Sequence, residues 1–322
     1  MPALDPEVLS RALPVLEARA ADQGGVFSVG QAIAAGLTPA HVRTLVRRGT
    51  WIDVRHGVLA LASRWEQAPL LTSCAGKLLR LSPEAVVSHA SAWNLYQLPY
   101  LEAPAEPTMT VPIRTTRPTA GVLESVLPAE QVLRFGTVPV TTGPRTVVDV
   151  LRNAPDRFEA LTLADGALRD GVSRVRVDEM INWCEGWPGI QQARAAWALA
   201  EALSESPLES RHRLLFREAG LPEPELQVKV RDLAGRVVAR VDFLFRAQRT
   251  VVESDGKVKY LDDARANRRR NDVLWDEKVR EDRLRDLGLE VVRATWADTK
   301  DGGHDLVRRV SRAFDRAARR AA

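Results

Sequence analysis

Two apolar runs near the C-terminal end carry acids in their interiors: Val237 to Phe245 contains Asp242, and Thr250 to Asp255 contains Glu253. A carboxylate inside such a run is costly unless it is paired or put to use. Strand side chains alternate between faces, so Glu253 and Asp255 share one face, and Lys257 joins them if the strand continues. Gly256 marks a kink or a close approach of backbone there. Leu208 to Ala219 reads as a preceding helix and Leu226 to Val230 as a first strand, followed by a turn at Leu233-Ala234-Gly235. One long helix is expected over Asp262 to Leu287, stopped by Gly288, then a strand over Leu289 to Thr295 and an amphipathic helix over Leu306 to Ala318. The order is α-β-β-β-α-β-α.

Neighbouring strands thus offer carboxylates and an amine on one edge. Asp242, Glu253 and Asp255, with Glu209 from the start of the preceding helix, are hard oxygen ligands suited to Mg²⁺ or Mn²⁺. A bound cation polarises a phosphodiester and lowers the pKa of a water. A lysine beside it orients that water or neutralises charge developing on phosphorus. Arg268, Arg269 and Arg270 follow on the long helix, as phosphate contacts or as ordinary basic surface. The pair Glu277 and Glu281 reads first as part of a solvated, ion-paired face, and second as part of a helix that borders the active site.

Asp242 with Asp255-Gly256-Lys257 resembles the PD-(D/E)xK nuclease signature on a restriction-endonuclease-like core. A second register takes Glu253 as the second acid, with Lys257 or Lys259 as the lysine, and both registers stay open. The wider text Val252 to Tyr260, with Glu277 to Arg285, resembles an uncharacterised family related to very-short-patch mismatch-repair endonucleases. That family often carries histidine near position 259, where this chain has Lys259. The resemblance spans roughly Leu208 to Ala318. It implies a Mg²⁺- or Mn²⁺-dependent deoxyribonuclease with Asp242, Glu253, Asp255, Lys257, Lys259 and Glu209 at its site.

At the other end, Ser28 caps a short helix over Val29 to Ala35, and Thr38-Pro39 starts a second that ends at Gly49. Strands at Trp51 to Arg55 and Val58 to Leu61 turn at His56-Gly57. Helix, glycine turn, helix and hairpin is the order of a winged helix-turn-helix. On the second helix Val42, Leu45 and Val46 fall on one face. Arg43, Thr44, Arg47 and Arg48 are expected to face outward, with His41 near the first turn and Arg55 at the hairpin tip. A cationic outer face is what the major groove and its phosphates call for. Val26-Phe27-Ser28 and His56-Gly57-Val58-Leu59-Ala60 resemble the winged-helix domain of abortive-infection type IV antitoxins. That resemblance implies DNA binding and transcriptional autoregulation.

The expected architecture is therefore multidomain α/β. Residues 1–65 form a winged helix-turn-helix, 66–203 an α+β connector or partner surface, and 204–322 the nuclease-like domain. In the connector, helices are expected at Leu70 to Leu81, Ser88 to Tyr96 and within Arg157 to Ala202, and a strand at Thr108 to Val111. His89 reads as structural. Val87-Ser88-His89 and Pro144-Arg145-Thr146-Val147-Val148-Asp149 fit chains of this three-part kind. Cys74 and Cys184 are the only cysteines, too few for a disulfide scaffold or a zinc site, and read as small buried hydrophobes. With 46 basic and 42 acidic residues the net charge is +4, which permits a nucleic-acid partner without demanding one. No apolar run of membrane-spanning length and no signal-peptide pattern is present, so a cytoplasmic protein is expected. A homodimer and a cognate partner protein are both compatible with this text. So is a non-catalytic regulator with a vestigial nuclease fold.

Overall fold

The computed structural model describes residues 5–112, 119–256 and 278–321. The chain divides into two compact units, residues 1–154 with 172–194, and residues 155–171 with 195–322. Both mix helices with β-sheet.

In the first unit, α1 (Pro6–Asp22) begins at an Asp5 cap, whose carboxylate accepts the Glu7 N–H at 2.9 Å. β1 (Val26–Ser28) leads into α2 (Val29–Ala34), where Ser28 and Gln31 form a capping box. A second box, from Thr38 and His41, starts α3 (Pro39–Arg47). β2 (Trp51–Arg55) and β3 (Val58–Leu61) complete an antiparallel sheet ordered β1-β3-β2. The sheet is buried on both faces, as period-two alternation allows. Phe27 and Leu59 pack with Leu16 of α1, Leu45 of α3 and Trp51, and the Phe27 and Trp51 rings meet edge to face at 4.9 Å. Val26, Val58 and Ala60 point the other way, into a second core with Cys74, Val87, Met109 and Val140.

That second core belongs to a five-stranded mixed sheet. After α4 (Ala62–Gln67) and α5 (Pro69–Leu78) come β4 (Val86–Val87), α6 (His89–Leu95), β5 (Met109–Val111), β6 (Val122–Glu124), β7 (Val132–Phe135) and β8 (Val138–Thr141), in spatial order β6-β5-β4-β8-β7. α7 (Gly143–Arg152) follows. Its Arg145 is fully buried and every arm of the guanidinium is used. Nε donates to Asp149 at 2.7 Å, Nη1 to Gln131 at 2.6 Å and to the Val126 carbonyl at 3.1 Å, and Nη2 to Ser125 at 2.9 Å. The Trp187 ring lies 4.7 Å beneath it. The Arg145 and Asp149 pair thus pins the loop before β7 to α7. His89 is buried with a left-handed backbone (φ 49°). Its Nδ1 lies 2.9 Å from the Ser88 hydroxyl, and its Nε2 is buried with no hydrogen-bond partner among the described residues. α9 (Arg174–Trp183) closes the unit, and both cysteines are free and buried.

In the second unit, α8 (Arg157–Arg169) and α11 (Pro207–Glu218) are joined by the Arg213 and Asp165 ion pair, 2.7 Å long. α10 (Ile190–Ala198) runs between the residue ranges of the two units. β9 (Glu225–Arg231), β10 (Val237–Phe245), β11 (Thr250–Asp255) and β12 (Glu290–Thr295) form a sheet ordered β12-β11-β10-β9, with only β11 and β12 parallel. Residues 278–286 are helical (α12), and a 3₁₀ stretch over Trp296–Gly303 leads into α13 (His304–Ala321). The element order matches the one read from the sequence. The earlier part of the expected long helix lies outside the described residues. Phe243, Phe245, Val252, Val292 and Ala294 pack on Phe216 of α11 and on Leu306, Val310 and Ala313 of α13. Leu244 and Val251 belong to a second cluster with Leu284 of α12.

Candidate active site and candidate nucleic-acid interface

The β10 and β11 ladder pairs Phe245 with Thr250, Leu244 with Val251 and Phe243 with Val252, and goes no further. Asp242 and Glu253 come next and oppose each other where the strands part. The Asp242 carboxylate takes over from the ladder, its Oδ2 accepting the Ser254 N–H at 2.7 Å. On the other flank Asp242 lies opposite Gln227, between the paired positions Val241 with Val228 and Phe243 with Leu226. Glu253 pairs in register with Arg293 of β12. One transverse row therefore crosses all four strands: Gln227, Asp242, Glu253, Arg293.

Gln227 has a left-handed backbone, φ 53°, which is strained for a residue with a Cβ. Its Nε2 donates to Glu209 Oε2 at 2.8 Å and to Asp242 Oδ1 at 3.3 Å. Glu209 is occupied besides: Oε1 accepts from the Ser206 hydroxyl at 2.7 Å, and Oε2 from the Glu205 N–H at 3.0 Å. It serves the N-terminus of α11 as well as the row. Glu253 receives Arg280 of α12, with Nη2 to Oε2 at 2.6 Å. Its other oxygen, Oε1, is buried with no hydrogen-bond partner among the described residues.

Burial pushes the carboxyls of Glu209, Asp242 and Glu253 above the ordinary range, and a neighbouring negative charge adds to it, that of Asp242 at Glu209 and Glu253 and that of Glu205 at Asp242. Hydrogen bonds oppose the rise at Glu209 and Asp242, and the Arg280 charge opposes it at Glu253. Asp255 lines the same cleft, a space of about 190 Å³ walled by Arg240, Asp242, Glu253, Ser254, Arg280 and Arg293. The expected convergence of four carboxylates on one ion is not found. Among the described residues no three His, Cys, Asp or Glu side chains gather to hold a metal. Asp242 and Glu253 lie in the row across the sheet, while Glu209 is spent on its cap and on Gln227. Asp242 and Glu253 still fit a smaller role. A magnesium-type ion commonly takes only one or two protein carboxylates, with water and phosphate oxygens completing the shell, and the unpartnered Glu253 Oε1 is a suitable donor. Lys257 and Lys259 lie outside the described residues, as do Tyr260, Arg268, Arg269, Arg270, Trp275 and Glu277.

Sequence reasoning missed Gln227, Arg280 and Arg293, and also His212 of α11. His212 is fully buried, and its ring nitrogens lie 2.8 Å from the Ser254 hydroxyl and 3.4 Å from the Thr295 carbonyl. Burial pulls its pKa down to about 4, so the ring is neutral near pH 7. It ties α11 to the residue between Glu253 and Asp255. The available signal was its place among Leu208, Leu215 and Phe216 on the apolar stripe of the helix.

On α3, Arg43, Arg47 and Arg48 are exposed and His41 is half-buried. Thr44 is a correction: it is buried, and its hydroxyl donates to the Ala40 carbonyl at 2.9 Å, which satisfies the group internally and turns it from solvent. Arg55 is also committed elsewhere, bonded to Glu106 at 2.6 Å. At the hairpin turn an exposed residue not read from the sequence, Arg80, brings its guanidinium against Gly57.

Residues 15–62 match the family model described as a transcriptional regulator, AbiEi antitoxin. The match agrees with the antitoxin resemblance of the first segment. Two curated relatives, uncharacterized protein Rv2248 of Mycobacterium tuberculosis strain H37Rv and uncharacterized protein MT2308 of strain CDC 1551, are each 27% identical over 282 residues. The alignment covers 87% of this chain and 98% of each relative. A solved structure, that of the RV2827C protein from M. tuberculosis, aligns at TM-score 0.39 and 15% identity over 70% of this chain and 85% of that one. No described helix is long and apolar enough to cross a membrane.

Proposed function

We propose that this chain is a DNA-binding protein with an N-terminal winged helix and a C-terminal PD-(D/E)xK-type site that cuts DNA with Mg²⁺ or Mn²⁺. DNA binding is carried by the regulator-family match over residues 15–62. Support comes from the α-β-α-α-β-β order of the first six elements and from the exposed Arg43, Arg47 and Arg48 of α3. α3 enters the major groove, and the hairpin turn with Arg80 meets the adjacent backbone.

The cutting site is carried by one observation: Asp242 and Glu253 oppose each other where β10 and β11 part. A divalent ion there would polarise the phosphodiester and activate a water. Asp242 and Glu253 would hold it. Gln227 and the Ser254 N–H fix the Asp242 carboxylate, and Arg240, Arg280 and Arg293 present charge to the phosphates. Lys257 or Lys259 supplies the amine of the motif. Incubating purified protein with supercoiled plasmid and Mn²⁺ tests this. Nicking is expected, with at least a hundredfold loss in Asp242→Asn; cutting unchanged by that substitution would sink the assignment.

A second reading has its own support. The ion pair of Arg280 with Glu253 and the capped Glu209 describe a site that is neutralised internally, as in a regulator with a vestigial nuclease fold. It predicts duplex retention without nicking at any Mn²⁺ concentration. In either reading the partner is DNA, and the mass in solution, alone and with a cognate partner protein, tests for a homodimer or a hetero-complex.

A further inference from the structure

Three guanidiniums wall the cleft, and they are not equivalent. Arg240 is paired with Glu205, and Arg293 is bonded to Glu281 at 3.0 Å. Arg280 forms an ion pair with a carboxylate of the row itself, Glu253. The bond uses a single nitrogen, Nη2 to Oε2 at 2.6 Å, and among the described residues the second terminal nitrogen reaches the Arg240 carbonyl, at 3.4 Å. A one-nitrogen contact lacks the geometric match of the forked guanidinium–carboxylate pair. Glu253 Oε1 is buried and without a hydrogen-bond partner among the described residues, and Asp242 adds a second negative charge across the gap, opposed by the charges of Arg280 and Arg293. A divalent cation would answer both oxygens and both acids at once.

We propose that Arg280 is a resident counter-ion standing in the cation position, and that a divalent ion binds by exchanging with it. The proposal rests on the cation reading of the preceding section. Exchange frees the guanidinium to pair with a phosphate of bound nucleic acid. Cation and nucleic acid then favour each other's binding, since a coupling of this kind is reciprocal. α12 does not depend on the Arg280 bond for its place. Glu281 holds Arg293, and Leu284 sits fully buried in the core with Val251 and Leu244.

The test uses the full chain without DNA, titrated with Mn²⁺ alone and read by the electron paramagnetic resonance of free Mn²⁺. Arg280→Met is expected to bind Mn²⁺ about tenfold more tightly than the wild type, a difference of about 1.4 kcal/mol. Arg280→Gln, which keeps the polar reach without the charge, should do the same and serves if the first variant folds poorly. Asp242→Asn should abolish binding in every background. Equal Mn²⁺ affinity in wild type and both Arg280 variants, with binding still lost in Asp242→Asn, overturns the exchange while leaving the cation site standing. No binding in any variant, or binding indifferent to Asp242, overturns the cation reading and the exchange with it.

Discussion

His212 shows how one buried side chain sets conditions for the row beside it. A histidine ordinarily near 6.5 is held near 4, so the unfolded chain takes up a proton before the folded one does. Its contribution, about 3 kcal/mol, is fully present above pH 6.5 and is lost as pH falls toward 4. Urea unfolding from pH 7 to pH 4 should show this loss in the wild type, and His212→Ala should flatten it. Protonation would also remove the ring acceptor from the Ser254 hydroxyl. Arg145 is the opposite case, a buried charge fully answered. Arg145→Met leaves Asp149 buried with Arg152 as its one ionic partner among the described residues, bonded at 3.0 Å. Such a change should cost about 3–5 kcal/mol, read as a fall in the urea midpoint.

Among the elements, the splayed end of β10 and β11 was legible in outline and the rest of the row was not. An acid in an apolar strand is a local signal, so Asp242 and Glu253 stand out in the text itself. Gln227 and Arg293 reach the row through cross-strand register, and Arg280 through helix docking, and neither is encoded within a few residues of sequence. Glu209 was found, but its cap role depends on Ser206 and Gln227. Thr44 was misplaced because helical spacing sets an angle, while a hydroxyl that bonds its own backbone tolerates burial. α1 was not read from the sequence, although Ala12, Leu16 and Ala20 fall at helical spacing on its buried face. Helix α5 carries a prediction of its own. Gly76 lets it settle on β2, since a Cβ there would lie 2.9 Å from Val54 Cγ1. Gly76→Val should destabilise the first unit by about 1–3 kcal/mol through overpacking, measurable by thermal melting.

For the whole molecule, a net charge of +4 on 322 residues is too small to hold DNA by diffuse attraction, so binding should depend on a few placed cations. Fluorescence anisotropy with duplex DNA over a range of salt should give a linear log–log slope, and Arg43→Ala with Arg47→Ala should lower it by about two. An unchanged slope would remove α3 from the interface. The small sheet β1-β3-β2 sets a further condition on such work. Its two faces serve two cores, so a fragment ending near residue 65 would uncover Val26, Val58 and Ala60 as a bare apolar plane beside open strand edges. That surface invites self-association. The N-terminal segment should therefore be insoluble when expressed as a 65-residue piece and soluble when the five-stranded sheet travels with it, which would make the two a single folding module.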